Sequence, residues 1–572
     1  MAGASKDARA AAAAGDDVRV VVRSTVAGIE ASFNLIEKMQ SRTRLALALS
    51  LLDNASKTST KFEKVTADLA KALSVFDVDE RHYWISTFYT LLIHASLRRK
   101  KATYFTPPAI VRHLIQNSEQ AGVDFRTARV IDPAAGGAAF VSSIAGRMVE
   151  LGCSVRSIRT RLTGIEIDPH LALLGDALVC DRLGEAFDKD RQEKILRIGD
   201  SLQLGQNPIK YDAVFVNPPY GRILNLQAEA AEAWEAVSSP GHVNRYALFI
   251  DLAFRLAKPG GVVAVVSPSS FISGPLFERL RESIRSRAEV VRVDLLERQD
   301  VFHDVQQDAC VSIFRVNNTG VAKAKTFAPL CGRIDRGWRF SECGVISTSN
   351  DLPNAPWITP DQTGEDSGSL DRCTARLTDY GVTPKAGYFV WNREEHRLHR
   401  GKKTRASYPL FWAKNVKPGK VCVPASKTDK GIDFVTFDHP STGIVRKPAI
   451  ILQRTTNSKQ PRRLIAAVIP RKIVKKYHGY VSENHTILLI PSAGRAALKL
   501  LCRLLNSNAV DRRYRRVGGT ASISIGSLRN LPLPDPRHLY TAMGKIANFE
   551  EAIELAYALS DASSMTRSKA AA

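Results

Sequence analysis

The segment YDAVFVNPPYGR, residues 211–222, has the residue types and spacing most specific for chemistry. An apolar run that predicts a β-strand ends at Asn217, and Pro218, Pro219 and Tyr220 follow. Two successive prolines fix the backbone and leave carbonyl groups without ladder partners. The exocyclic amine of a nucleobase is a poor nucleophile because its lone pair is delocalised into the ring. Accepting both of its hydrogens, at the Asn217 side-chain oxygen and the Pro218 carbonyl, would localise that lone pair.

Tyr220 adds an aromatic face against which a flat base can stack. A methyl donor then needs only in-line alignment with the amine, and no metal ion is required. The alternative interpretation is a simple turn with an exposed tyrosine. The strand before the motif and the acidic residues upstream favour the chemical interpretation.

Three acidic residues at predicted strand ends indicate a ligand site upstream of this motif. Asp132 follows the strand of ARVID and precedes a loop of small residues, 134–139, whose backbone a ligand can approach closely. Glu166 ends the strand in RLTGIEIDPH and can accept both ribose hydroxyls, while Asp200 in ILRIGDSL suits an adenine amino group. Each acid alone is more often a solvated loop residue. Together, and with a longer spacing than in dinucleotide-binding folds, they predict an adenosine-containing ligand without a pyrophosphate.

The elements that must position these residues follow from hydrophobic periodicity. Helical spacing dominates the first hundred residues, strands alternate with helices in the next two hundred, and short strands with basic clusters fill most of the remainder. This pattern predicts an α/β fold with a mostly parallel, Rossmann-like sheet. The predicted organisation is a helical N-terminal domain (1–99), an α/β domain that carries the chemical motifs (100–320), a linker or extension (321–375), a mixed α+β domain (376–545), and a C-terminal helix with a disordered tail (546–572).

Composition narrows the class of protein. A length of 572 residues exceeds a single core, and 44% apolar residues without a membrane-length run or signal peptide predict a soluble, cytoplasmic, multidomain protein. Eight cysteines without a CxxC pair argue against structural zinc and predict reduced thiols. A net charge of +24 indicates a polyanionic partner, although a basic surface that serves only solubility is the alternative.

In its motifs the sequence resembles the gamma-class amino methyltransferases of restriction-modification systems. The motifs KATYFTPPAIVRHLI, DPAAGGAAF, GIEIDP, GDS, NPPY and VFHDVQQDACVSIF occur in that family's order over residues 100–318. The resemblance implies the class I fold and S-adenosyl-L-methionine as cofactor. It also implies the cofactor-binding residues, which are Tyr104, Thr106, Asp132, Pro133, Gly136, Glu166, Ile167, Asp200, Ser201 and Asn217.

The resemblance further implies a flipped target base, because the amine of a stacked and paired adenine is inaccessible. Phe302 falls where the family places an aromatic residue that stacks on the extrahelical base, opposite Tyr220. Asparagine in NPPY favours adenine N6, whereas cytosine-N4 enzymes generally carry serine there. The family's loop reads DPACGSGAF, and here Ala135, Gly137 and Ala138 replace its Cys, Ser and second Gly. We expect the additional methyl group of Ala138 to crowd the cofactor, although the loop stays uniformly small, and the effect on activity is left open.

The C-terminal half resembles enzymes that carry their own target-recognition domain, with the PstI and BsuBI type of adenine methyltransferase as the nearest match. Such domains read bases in the major groove and grip phosphates with basic side chains. His485, in SENHT, is either a structural histidine or a DNA contact. The predicted DNA-binding residues are Arg393, Arg454, Arg462, Arg463, Arg512, Arg513, Arg515 and Arg516.

The sequence therefore predicts an adenine-N6 DNA methyltransferase that acts on double-stranded DNA and protects host DNA alongside a separately encoded endonuclease. One alternative is an amino methyltransferase for RNA or protein glutamine, since both use NPPY. A second is a DNA-binding relative that no longer catalyses. A single-chain restriction and modification enzyme is not favoured, because no separate PD…(D/E)xK segment is present.

Overall fold

The computed structural model divides the chain into two compact units. Unit 1 comprises 1–271, 276–345 and 352–354, and unit 2 comprises 272–275, 346–351 and 355–572. The residues that the structure describes are 18–29, 40–52, 60–93, 105–204, 209–223, 233–237, 243–296, 309–318, 327–335, 337–348, 352–360, 375–401, 404, 406–422, 432–455, 462–492, 497–517, 523–529 and 531–571.

Unit 1 is built on a nine-stranded sheet with the order β3-β2-β1-β4-β5-β7-β6-β8-β9. Strands β1 to β5 run parallel, and β7 is antiparallel to both of its neighbours. This arrangement confirms the predicted Rossmann-like α/β fold. The strands are β1 (Val130–Asp132), β2 (Leu162–Glu166), β3 (Leu196–Ile198), β4 (Tyr211–Val216), β5 (Ala257–Pro268), β6 (Ala288–Leu296), β7 (Ala309–Val316), β8 (Leu330–Ile334) and β9 (Phe340–Val345).

The helices of unit 1 bury apolar faces against this sheet. In one of them Phe140, Ile144 and Met148, four residues apart, are all buried, and the Phe140 ring lies 5.6 Å from that of Phe215 in β4. The helices are α1 (18–29), α2 (Ser41–Leu49), α3 (Thr60–Leu73), α4 (Val78–Leu91), α5 (Pro108–Gln120), α6 (Ala139–Glu150), α7 (Val155–Arg161), α8 (Pro169–Arg182), α9 (Arg245–Leu256) and α10 (Glu278–Arg287).

The N-terminal helices form as predicted, but they are part of unit 1 and not a domain of their own. Trp84 and Phe88 of α4 belong to the same buried cluster as Leu174 and Leu178 of α8. The N-terminal helices therefore share one hydrophobic core with a helix of the α/β domain. The predicted domain boundary at residue 99 therefore needs correction.

The predicted linker at 321–375 is also partly wrong. Residues 330–345 form β8 and β9, and β8 pairs with β6, so both strands extend the sheet. Burial of Cys331 and Ile334 of β8 stabilises this pairing. The Pro-, Gly- and Asp-rich composition that suggested a linker starts only at residue 349. The apolar run LCGRI, which forms β8, is short and therefore a weak strand signal in the sequence.

Unit 2 contains two four-stranded sheets, with the orders β10-β17-β14-β15 and β11-β13-β12-β16. The strands of these two sheets are β10 (Val382–Ala386), β11 (Leu398–Arg400), β12 (Ser407–Phe411), β13 (Asp433–Thr436), β14 (Ala449–Gln453), β15 (Ala466–Ile469), β16 (Val481–Ser482) and β17 (Thr486–Pro491). Its helices are α11 (Arg471–Tyr477), α12 (Leu498–Leu505), α13 (Asn508–Val517), α14 (Ile525–Arg529), α15 (Pro536–Lys545) and α16 (Phe549–Ala571).

The first of these sheets shares a large apolar core with the helices that follow it. Ile450 and Leu489 from the sheet belong to one buried cluster with Leu501, Tyr514 and Tyr557 from α12, α13 and α16. Helix α16 continues to Ala571, so the predicted disordered tail is helical in the structure. Within the described part of the chain, no helix combines the length and apolar character needed to cross a bilayer.

Candidate active site

Asn217 lies directly beyond the end of β4, and its side-chain amide is held at both ends. Its Nδ2 donates a hydrogen bond to Thr106 Oγ1 at 3.0 Å, and its Oδ1 accepts one from the Tyr220 hydroxyl at 3.2 Å. Thr106 is buried, and both partners are hydroxyl groups that hold the plane of the Asn217 amide in place. An amide oxygen has two lone pairs, so Asn217 Oδ1 can accept more than one hydrogen bond.

The NPPY turn presents a second acceptor. Pro218 is buried, and no backbone hydrogen bond within the described residues uses its carbonyl. Gly221 ends the turn with φ 122°, a conformation that favours glycine, and its carbonyl accepts a hydrogen bond from Arg245 N at 2.9 Å. The chain is thereby anchored on α9 while the Pro218 carbonyl stays unused.

Tyr220 is half-buried, and its ring lies edge-on to Tyr246, with the centroids 6.5 Å apart and the planes at 78°. Desolvation raises the pKa of the Tyr220 hydroxyl well above its ordinary value. The hydroxyl therefore remains protonated and acts as the donor to Asn217. Tyr246 is itself fixed, because its hydroxyl lies 2.9 Å from Ser270 Oγ.

The small-residue loop after β1 is organised by two carboxylates. Asp132 is buried, its Oδ1 accepts a hydrogen bond from Ala134 N at 2.9 Å, and burial with the nearby Glu166 charge raises its pKa to about 8. Glu166 accepts from Gly136 N at 3.0 Å and from Asp168 N at 2.8 Å. Burial raises the pKa of Glu166 as well. These bonds tie the end of β2 to the loop after β1.

The residues that follow β2 and β3 suit the adenosine part of a ligand. Ile167, beside Glu166, keeps a large apolar side chain 67% exposed, which is a platform for a flat purine. Ser201 Oγ donates a hydrogen bond to Pro133 O at 2.6 Å, so the loop after β3 is tied to the loop after β1. Asp200 begins that loop and accepts a hydrogen bond from Leu202 N at 3.0 Å. In doubly wound folds, ligands bind at this carboxyl edge of the sheet.

The expected crowding by Ala138 is contradicted. Ala138 has φ 60° and is fully buried, and its methyl group faces Gly175 of α8, where an added Cβ would lie 3.2 Å from it. The methyl group therefore points into the core between α6 and α8. The glycine at position 175 provides the space, so the cofactor side of the loop is not narrowed by this substitution.

Two contacts at the loop were not predicted. Ser86 Oγ of α4 donates a hydrogen bond to Gly137 O at 3.2 Å. A Cβ added at Gly137 would lie 2.6 Å from Ser86 Oγ. Phe105 packs on the same loop, since its Cε1 would lie 3.2 Å from a Cβ at Gly136. Ser86 precedes the loop by 51 residues, and nothing in its local sequence marks it. Tyr104 and Phe302, predicted to bind the cofactor and the base, lie outside the described residues.

Several of the predicted DNA-binding arginines are engaged within unit 2. Arg463 is only 6% exposed, and burial at this level excludes contact with a phosphate or base edge, which corrects that prediction. Arg512 and Arg513 pair with Glu554 at 2.7 and 2.9 Å, and Arg515 pairs with Asp511 at 2.8 Å.

The remaining candidates differ in exposure and in partners. Arg462 donates to Asn508 Oδ1, and Arg454 Nη1 donates to Asn484 O at 3.2 Å. Arg393 is exposed. The side chain of Arg516 is outside the described part of the chain. Arg393 therefore stays a candidate for DNA contact, whereas the Arg454 and Arg462 side chains each already donate a hydrogen bond within unit 2.

Comparisons with known proteins agree with this geometry. The family described as Eco57I restriction-modification methylase matches residues 154–302. The type II methyltransferase M.PstI of Providencia stuartii is 21% identical over 377 residues, which cover 63% of this chain and 73% of the relative. The type II methyltransferase M.BsuBI of Bacillus subtilis is 20% identical over 450 residues, covering 74% and 86% of the two chains.

Among solved structures, the type IIL restriction-modification enzyme MmeI in complex with DNA superimposes with a TM-score of 0.51 at 12% identity, covering 94% of this chain and 89% of MmeI. At this identity the likeness concerns the fold. The sheet order, the loop after β1 and the motif order identify a class I fold that uses S-adenosylmethionine. The chain is similar to type II methyltransferases, and its residues 154–302 match a restriction-modification methylase family.

Proposed function

We propose that the protein transfers a methyl group from S-adenosylmethionine to the N6 amine of adenine within a particular sequence of double-stranded DNA. The observation that carries this proposal is Asn217, held between Thr106 and Tyr220 at the carboxyl end of β4. An amide oxygen and the backbone carbonyl of the next residue are two acceptors that suit the two hydrogens of an exocyclic amino group. The match of residues 154–302 to a restriction-modification methylase family and the similarity to type II methyltransferases support DNA as the substrate.

In this mechanism, Asn217 Oδ1 and the Pro218 carbonyl each accept one hydrogen of the adenine amine. Accepting both hydrogens localises the nitrogen lone pair perpendicular to the ring and makes the nitrogen nucleophilic. Thr106 keeps the Asn217 amide from rotating, so the oxygen is already in place before the base arrives. Bound S-adenosylmethionine would supply an electrophilic methyl group.

The residues at the carboxyl edge of the sheet fit that cofactor. We assign the ribose hydroxyls to Glu166 and the adenine to Ile167 and Asp200, with Asp132, Pro133, Gly136 and Ser201 shaping the loops. Glu166 retains lone pairs beyond the two backbone bonds that it accepts. Asp132 is buried with a raised pKa and therefore acts through the loop backbone rather than as an exposed charge.

The target adenine must leave the duplex, since its amine is otherwise paired and stacked. Tyr220 offers one stacking face for the extrahelical base. By the resemblance to the family, Phe302 is proposed for the opposite face, and Tyr104 is proposed to close over the methionine part of the cofactor. The protein would protect DNA from a separately encoded endonuclease of the same sequence specificity.

The decisive experiment incubates the full chain with labelled S-adenosylmethionine and unmethylated genomic DNA, then identifies the modified nucleoside and maps its sequence context. We expect N6-methyladenine at one recurring sequence. Asn217→Ala should abolish transfer, whereas Asn318→Ala, at an exposed asparagine beyond β7, should not. Label found only in RNA or protein, or on another base, would refute the proposal.

A further inference from the structure

The basic clusters of unit 2 look alike in sequence but differ in their electrostatic state. In the cluster DRRYRR, Arg512 and Arg513 share Glu554, and Arg515 pairs with Asp511. Asp511 is buried and also accepts hydrogen bonds from the backbone N–H groups of residues 463 and 464, both at 2.7 Å. Three of the four arginines of this cluster are therefore ion-paired within the unit, with two carboxylates between them.

The same cluster also has a packing role. The Arg513 guanidinium lies 3.6 Å from the centroid of the Tyr557 ring, and its side chain is 15% exposed. Stacking on an aromatic face together with a carboxylate partner is a typical way to hold two helices together. Arg513 thus joins α13 to α16, which leaves it poorly placed to bind an external phosphate.

Helix α11 shows the opposite state. Arg471, Lys472 and Lys475 are exposed, and none of them forms an ion pair among the residues that the structure describes. They face outward because Ile473 and Tyr477 of the same helix pack with Phe434 of β13. Helical spacing puts the apolar side chains on one face and the cations on the other.

Lys476 adds a fourth exposed cation to α11, with its Nζ 4.7 Å from the centroid of the Tyr477 ring. Four cations within six residues repel one another, and no carboxylate among the described residues offsets the charge of the first three. Such a concentration of positive charge is stabilised when it meets a polyanion, which releases counterions on binding.

We propose that α11 binds the phosphates of the substrate duplex, and that DRRYRR mainly maintains the fold of unit 2. This inference rests on the proposed function, because it takes double-stranded DNA as the partner. Binding through cations on a helix face is independent of base sequence. Helix α11 would therefore set the affinity for any duplex and leave the reading of bases to other residues.

The test measures binding of the full chain to a duplex by fluorescence anisotropy between 50 and 200 mM salt. We compare the parent with Arg471→Gln/Lys472→Gln/Lys475→Gln. Loss of three phosphate contacts should make the slope of log K against log salt less steep by about 2.7, so that the parent loses about forty-fold more affinity than the variant over this range.

The matched control, Lys499→Gln/Arg529→Gln/Lys545→Gln, removes the same charge from exposed positions in or beside α12, α14 and α15. We expect its salt slope to stay close to that of the parent, and both variants to keep the parent's affinity for S-adenosylmethionine. Equal slopes for the two triple variants would overturn the inference and leave the proposed function standing. If the parent binds no duplex at any salt concentration, both proposals fail.

Discussion

The hydroxyl of Ser86 donates a hydrogen bond to the carbonyl of Gly137 at 3.2 Å, and it occupies the space that a side chain at position 137 would need. A Cβ at Gly137 would lie 2.6 Å from Ser86 Oγ, 2.7 Å from Ser86 Cβ and 2.9 Å from Phe105 Cε1. Helix α4, from the N-terminal layer, is therefore part of the wall of the cofactor loop. The Ser86 side chain fills the space that the absence of a side chain at Gly137 leaves open, so the two residues are complementary in volume.

This complementarity makes Gly137→Ser a sharp test of the loop. We expect weaker binding of S-adenosylmethionine, because overpacking of this kind costs about 1–3 kcal/mol and displaces the loop. Isothermal titration calorimetry of the purified chain measures the loss. Gly544→Ser is the control, since nothing lies within 4 Å of a Cβ added there.

A second substitution separates the two partners. Ser86→Gly/Gly137→Ser should recover much of the affinity, because it removes both Ser86 atoms that a side chain at 137 would meet. Ser86→Ala/Gly137→Ser should not recover it, because the Cβ of residue 86 would remain 2.7 Å away. Equal affinities of the two double variants would show that α4 does not brace the loop.

Thr106 is predicted to act on catalysis through Asn217. Thr106→Val removes the acceptor for Asn217 Nδ2 while keeping a similar volume, so the amide loses its fixed orientation. A neutral hydrogen bond of this kind is worth about 1 kcal/mol, and we expect kcat to fall about five- to tenfold. Thr106→Ser keeps the hydroxyl and should retain most of the rate.

Steady-state methylation kinetics and the affinity for S-adenosylmethionine distinguish this role from direct cofactor binding. If Thr106 positions Asn217, Thr106→Val should lower kcat and leave the cofactor affinity within about twofold of the parent. A large loss of cofactor affinity with an unchanged kcat would instead place Thr106 in the cofactor site, as the resemblance to the family implies.

Asp132 is predicted to make stability depend on pH. Its pKa is raised by burial to about 8 in the folded chain, against about 4 when unfolded, so the folded state holds an extra proton between these values. The stabilisation is complete below pH 4 and is lost as the pH rises through 8. Over this window the parent should lose about 1.4 kcal/mol per pH unit more than Asp132→Asn.

Denaturant unfolding of the parent and of Asp132→Asn at pH 5 and pH 8 measures this difference. Asp168→Asn is a suitable control, because Asp168 caps α8 and accepts hydrogen bonds from His170 N and Leu171 N at 3.1 and 3.3 Å. Asparagine keeps a capping oxygen, so this variant should differ little from the parent and by the same amount at both pH values. Parallel pH profiles for the parent and Asp132→Asn would contradict the burial argument.

The sequence predicts the parts of the site that are local. Asp132, Glu166 and Asn217 each end a strand, and parallel strands bring their carboxyl ends to one edge, so periodicity alone places them together. The contact between Thr106 and Asn217 spans 111 residues, and the position of Thr106 depends on how the chain enters α5. Sequence order holds no signal for such an approach.

The sequence also does not show which basic cluster of unit 2 is ion-paired in the fold. DRRYRR and RKIVKK have similar composition, yet Arg512 and Arg513 find Glu554 about 40 residues later, while Arg471 and Lys472 find no carboxylate in the described part of the chain. Only the tertiary fold shows which basic cluster is neutralised. The loop substitution at Ala138 is similar, because its compensation, Gly175, lies on another helix.

His485 is predicted to contribute to sequence preference. It lies in the turn between β16 and β17, where its Nδ1 and backbone N bind the carboxylate of Glu483, which is 2% exposed. With Nδ1 engaged, Nε2 is the free polar atom of a ring whose side chain is 54% exposed. A donor or acceptor held in this way suits a base edge better than a phosphate.

We therefore expect His485→Ala to lower the affinity for the mapped target sequence about tenfold, which is the value of one base contact. The affinity for an unrelated duplex and the slope of log K against log salt should stay unchanged. His439→Ala is the control, since His439 is exposed and follows β13 in the same unit. Competition binding with the mapped target and a scrambled duplex measures both affinities. Equal weakening on the two duplexes would assign His485 to phosphate contact, and no change on either would make it a structural residue that orders the turn through Glu483.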